Sequence, residues 1–191
     1  MTNRFFAYWV YGGSLSGMLL CALLPALAAV WPPSMLAVFA QLPVYMLHQW
    51  EEHDADRFRR FVNQNVAKGR EALSPAAVWV INVPGVWGVN LASFYLALEG
   101  GVGWGLIAIY LTLVNATVHI LASLATRTYN PGVISAIALF LPVGIWSWLT
   151  VVDTGQVQAT HHTVGLGAAI LIHVAIVAHV KLRAAVVENN E

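Results

Sequence analysis

The chain has 191 residues, 59% hydrophobic and 9% charged, whereas soluble domains average about 45–50% apolar and about 25% charged. That composition excludes a water-soluble globular protein, and nine Lys and Arg against nine Asp and Glu leave no net field to attract nucleic acid. Cys21 is the only cysteine, which excludes a disulfide scaffold and a cysteine-based zinc site, so a metal here would need nitrogen and oxygen ligands.

Apolar stretches long enough to span a bilayer, about 20 residues, recur along the chain. The first, 8–30, lacks an Ala-x-Ala-like cleavage site and is followed by more apolar sequence, so it reads as a retained helix and not as a secretory signal. Trp31, Pro32 and Pro33 separate it from a second run, 34–50. Residues 51–75 form the one long polar connection, in which Phe58, Phe61, Val62 and Val66 recur at near-helical spacing among Arg57, Arg59, Arg60 and Lys68. That pattern predicts an amphipathic helix lying on anionic headgroups. Further spans are predicted at 76–98, 103–125, 131–151 and 161–183, giving an all-α bundle of six transmembrane helices in a single domain, 1–191.

The charges test this topology. Six spans put Arg4, Arg57, Arg59, Arg60, Lys68, Arg70, Arg127, Lys181 and Arg183, all nine basic residues, on one side. The opposite connections, 31–33, 99–102 and 152–160, carry only Glu99 and Asp153. The positive-inside rule therefore predicts both termini in the cytoplasm and a place in the cytoplasmic membrane.

Ionisable groups inside spans cost about 2.5–3.5 kcal/mol each on insertion scales, so they mark candidate sites. The densest cluster is His48-Gln49-Trp50-Glu51-Glu52-His53. On a continuous helix His48, Glu51 and Glu52 sit at i, i+3 and i+4, one imidazole and two carboxylates on a single face, with His53 and Asp56 partly off it. Neighbouring turns can thus offer an N and an O donor to one ion. The order is the reverse of the Glu-x-x-His pair of di-metal bundles and differs from the zincin His-Glu-x-x-His.

The fourth span repeats the spacing with Asn115 and His119 at i and i+4. At 1.5 Å per residue, His119 lies ~12 Å from the Arg127 end, Asn82 ~10 Å from Pro75 and His173 ~15 Å from Arg183, all in the cytoplasmic half with His48. Asn82, Asn90 and His173 taken singly read as structural groups bonded to a neighbouring helix. His161, His162 and His179 fall near the surfaces. In Arg127-Thr128-Tyr129-Asn130-Pro131-Gly132, Pro131 suits the first position of the fifth span with Asn130 as its cap, and Tyr129 or Arg127 can turn back toward the site.

The ordered set His48-Gln49-Trp50-Glu51-Glu52, Asn115-x-x-x-His119 and Tyr129-Asn130-Pro131-Gly132 in a small multi-span chain resembles the bacterial HXXEE-motif family of integral membrane proteins. The resemblance groups these residues into one site in a bacterial inner membrane and implies no particular reaction.

Three functions fit. In the first, His48, Glu51, Glu52 and His119 hold a divalent transition metal, zinc in preference to iron, for hydrolysis of a membrane lipid or another hydrophobic small molecule. Glu51 or Glu52 would serve as base, with Asn115 and Tyr129 completing the catalytic set. In the second, the two glutamates split their pKa values and isomerise or cyclise a sterol- or terpenoid-like lipid without a metal. The third is a small transporter or proton relay; against it, the chain shows no two-fold repeat of helices.

Overall fold

The computed structural model describes residues 2–189, and among these the fold is entirely helical. Helix α1 is Thr2–Leu27, α2 Pro33–Phe39, α3 Gln41–His53 and α4 Arg57–Asn65. Helices α5 to α8 follow as Pro75–Gly100, Val102–Thr126, Val133–Val152 and Ala159–Glu188. Five of the described helices, α1 and α5 to α8, are long and apolar enough to cross a membrane, which makes this a membrane protein. The bounds of α5 to α7 fall within two residues of the expected spans, while α1 begins six residues before its expected start and α8 runs five residues past its expected end.

The second expected span, 34–50, is two shorter helices. Pro33 opens α2 at its first position, where a missing N–H costs nothing. Pro43 then ends the first piece: it has no N–H for the Phe39 carbonyl, and its ring meets that carbonyl four residues back. The chain breaks at Ala40, whose backbone stays near-helical (φ −61°, ψ −20°), and continues as α3.

At the end of α3 the chain reverses through Ala55 and Asp56, two consecutive non-glycine residues in left-handed conformation (φ 50° and 62°). Local ion pairs hold this turn, Arg57 to Asp54 at 2.9 Å and Arg59 to Asp56 at 2.6 Å, while the Tyr11 hydroxyl donates to Asp54 at 2.7 Å. The amphipathic helix α4 follows as expected, but much of its apolar face turns inward. Val62, flanked by Phe58 and Phe61, packs with Leu73, Val78 and Val180, while Val66 alone of the predicted stripe is exposed.

Helix α1 lies along α3, and α8 along α6. Gly165 makes the second pairing close: a Cβ there would stand 2.9 Å from the Leu106 carbonyl oxygen. Between α3, α6 and α7 lies a buried cluster that includes Tyr45, Leu111, Ala116, Ala136 and Phe140, tied by the Tyr45 hydroxyl donating to the Leu111 carbonyl at 2.8 Å. Two segments widen to π-helix, 81–87 in α5 around Pro84, and 136–140 in α7. The second of these borders the polar cluster.

The start of α7 departs from expectation. Asn130 is not its cap and Pro131 is not its first residue; Gly132, at φ 98°, makes the turn, and the helix begins at Val133. The free amides of Ile134 and Ser135 find their acceptor on another helix, so the local turn signal was insufficient to place the cap.

Candidate metal centre

His48, in the last two turns of α3, is fully buried. Its ring stacks on Phe140 with centroids 4.1 Å apart and planes 30° from parallel, and its Nδ1 lies 2.8 Å from Ser135 Oγ. Its Nε2 is buried with no hydrogen-bond partner and lies 3.7 Å from Oε2 of Glu52, one turn further along α3. The other Glu52 oxygen lies 3.5 Å from His119 Nε2 on α6. One ligand atom from each of His48, Glu52 and His119 falls within 4.8 Å of the others, and all three residues are buried. The spacing of i, i+4 on α3 and the depth of His119 on α6 thus converge on one point.

Gly132 makes room for this convergence. A Cβ there would stand 2.8 Å from His119 Cε1 and 2.9 Å from His48 Cε1, so only glycine lets the α6–α7 turn pass beside both rings. Its positive φ is a second reason for glycine at this position.

Glu51 goes elsewhere. Its Oε1 accepts from the Tyr129 hydroxyl at 2.7 Å and the Ile134 amide at 3.2 Å; its Oε2 accepts from the Ser135 amide at 2.6 Å and from Ser135 Oγ. The first glutamate of the motif therefore caps α7 from α3, where a carboxylate suits the positive end of a helix. It stands apart from the triad of His48, Glu52 and His119. Burial, together with the Glu51 carboxylate, pushes the Tyr129 hydroxyl up to about 12.

His53 stands closer than helical spacing suggests. Its Nε2 lies 3.1 Å from Glu52 Oε2, and its ring meets Trp9 of α1 at 5.3 Å and Phe58 of α4 at 5.5 Å. Asn115 sits one turn before His119 with its Oδ1 buried and without a hydrogen bond, and Asn130 donates to the His119 carbonyl at 3.3 Å. Arg127 closes α6 in left-handed conformation.

Other polar groups of the spans bond within their own helix or to a neighbouring one. Asn82 accepts from Gln49 at 2.9 Å and donates to the Val78 carbonyl; Asn90 donates to the Val86 carbonyl. His173 Nδ1 lies 2.8 Å from the Ala169 carbonyl oxygen. His162 pairs with the Tyr110 hydroxyl at 2.7 Å and His161 accepts from the Gln158 amide, both at the start of α8. Ser135 and Phe140, which both contact His48, stand outside every motif of the sequence. The π-turn that presents them carries no clear sequence signal.

Residues 39–147 match the family described as "Protein of unknown function with HXXEE motif", and the chain belongs to it. His48, Glu51 and Glu52 are the named positions of that motif, and the match takes in every residue of the triad and of the Glu51 cap. No curated protein and no solved structure matches the chain.

Proposed function

We propose that this protein is a six-span enzyme of the bacterial cytoplasmic membrane, with both termini in the cytoplasm and α2 and α3 together forming the second span. A divalent transition metal, zinc in preference to iron, is held by His48, Glu52 and His119 and serves hydrolysis of a lipid or another hydrophobic molecule.

The observation that carries this reading is the buried triad with its donor atoms within 4.8 Å of one another. Leaving a polar group buried and unsatisfied costs about 1–3 kcal/mol, and His48 Nε2 is such a group, facing the other two. Two imidazoles and a carboxylate suit zinc, whose catalytic sites use three protein ligands and keep a fourth position open. Bound there, the metal would bring the pKa of its water to about 7 and polarise a substrate carbonyl.

The other residues take supporting parts. Glu51, with its oxygens engaged on α7, leaves the ligand set that helical spacing assigned to it. His53, 3.1 Å from Glu52, is placed to take up a proton released at the centre. The hydrophobic substrate is supported by an apolar cleft of about 430 Å³ between α1 and α5, walled in part by Trp9, Trp79 and Trp87. Trp9 also touches His53, which joins the cleft to the triad.

A second reading, a metal-free isomerase or cyclase, is favoured by one feature: Glu52 is ringed by three imidazoles at 3.1, 3.5 and 3.7 Å, an array able to move protons without an ion. Metal analysis of protein purified in mild detergent separates the two. The metalloenzyme reading expects about one zinc or iron per chain in wild type and its loss in His119→Ala. Metal-free wild type, with metal content unchanged by His119→Ala, overturns it.

A further inference from the structure

We propose that Ser135 and Glu51 form a positioning relay that sets the tautomer of His48 and so presents a bare Nε2 to the metal. The inference rests on the metal reading above and deepens it by dividing labour between the two glutamates of the motif.

Around Glu51 stand the Tyr129 hydroxyl, the amides of Ile134 and Ser135, and Ser135 Oγ, which are four donors, so its carboxylate acts as acceptor throughout. A serine hydroxyl has one proton. Two acceptors compete for it, Glu51 Oε2 in the closest contact of the site and the Gly132 carbonyl at 3.3 Å. The shorter, charge-assisted bond wins. With that proton spent on Glu51, Ser135 Oγ can only accept along its 2.8 Å contact with His48, so Nδ1 carries the ring proton. A neutral imidazole has one N–H, and Nε2 is left with its lone pair bare, 3.7 Å from Glu52 Oε2, in the residue that clusters with Glu52 and His119.

This explains why a carboxylate is useful at both i+3 and i+4 from His48. The i+4 residue, Glu52, joins the triad directly. The i+3 residue, Glu51, acts through Ser135 on the far side of the same imidazole, as carboxylates do behind metal-binding histidines, with a hydroxyl interposed. Because both Ser135 and the amides held by Glu51 belong to the first turn of α7, the ring, the relay and the helix start form one unit.

The test uses full-length protein in mild detergent, with zinc affinity measured by chelator competition and coordination read from the visible spectrum of the cobalt-substituted form. Ser135→Ala is expected to weaken zinc binding by about 10–100-fold while the stoichiometry and cobalt spectrum stay as in wild type. Ser135→Thr keeps the hydroxyl and is expected to restore affinity; Glu51→Gln is expected to weaken it like Ser135→Ala. Wild-type affinity in both Ser135→Ala and Glu51→Gln overturns the relay. So does a Glu51→Gln protein that loses stoichiometric metal and the cobalt spectrum as His48→Ala does, because Glu51 would then be a ligand. If wild type binds no metal, the metal reading fails separately. Nitrogen NMR of the His48 ring then decides the relay: an Nδ1–H tautomer that Ser135→Ala abolishes supports it, and an Nε2–H tautomer overturns it.

Discussion

The ring of His48 lies on that of Phe140, 4.1 Å between centroids and 30° from parallel, so an aromatic side chain of α7 supports an imidazole of α3. Phe140 is fully buried and also packs on Tyr45 at 4.6 Å. Phe140→Ala removes the surface on which the imidazole rests. We expect a lower melting temperature in detergent and a zinc affinity reduced by about tenfold or more, since supports behind a ligand typically carry factors of 10–100. Thermal melts with and without added zinc check both effects.

Gly132→Ala is expected to damage the centre more than its size suggests. The new methyl would stand within 2.9 Å of both imidazoles, and the backbone there, at φ 98°, disfavours any side chain. Gly12→Ala is the matched control, because nothing lies within 4 Å of its Cβ position. The first variant should lose metal and melt earlier, and the second should match wild type in metal content and melting temperature.

Gln49, inside the motif, should behave as a structural residue. Its amide donates to Asn82 at 2.9 Å and accepts from the Trp87 indole at 2.7 Å, joining α3 to α5. Gln49→Leu strands both partners, at about 1–3 kcal/mol for buried groups left unsatisfied. We expect reduced stability in denaturant titrations with metal stoichiometry unchanged. Loss of the metal in a variant that still folds would bring Gln49 into the site.

Tyr129 sets an alkaline limit on stability. Its hydroxyl is raised to about 12, first by burial and then by the neighbouring Glu51 carboxylate, against an ordinary value of 10.0. The folded state therefore prefers the neutral phenol more than the unfolded state does. That contribution is fully present below pH 10 and is lost as pH rises from about 10 to about 12. Melts across this window should fall more steeply for wild type than for Tyr129→Phe, and identical slopes would show that the shift is absent.

Much of the scaffold can be read from residue order, because spans of 20 or more apolar residues leave a bilayer few alternatives. The His48, Glu52 and His119 convergence is also foreseeable, from i+4 spacing on one helix and matched depth on another. Helical periodicity cannot say which of two adjacent carboxylates faces which neighbour. Glu51 and Glu52 sit about 100° apart on α3, and only the placement of α7 sends one to a helix start and the other to the imidazoles. His53 depends on the left-handed turn at Ala55 and Asp56, two residues with no glycine to announce it. The break at Ala40 had a visible cause in Pro43, four residues from the Phe39 carbonyl.

The widened turn at 136–140 gives α7 a property that an ordinary helix lacks. Residues five apart on an α-helix diverge by about 140°, so Ser135 and Phe140 could not both face one ring. Bonding from i to i+5 brings them into line, one gripping His48 at Nδ1 and the other lying along its face. The helix works as a two-fingered clamp whose spacing is one residue out of step. Inserting one more apolar residue between the two fingers, a change that would leave the segment just as apolar, should turn them about 120° apart on an α-helix and open the grip, whereas deleting one would leave them at i and i+4 on a single face.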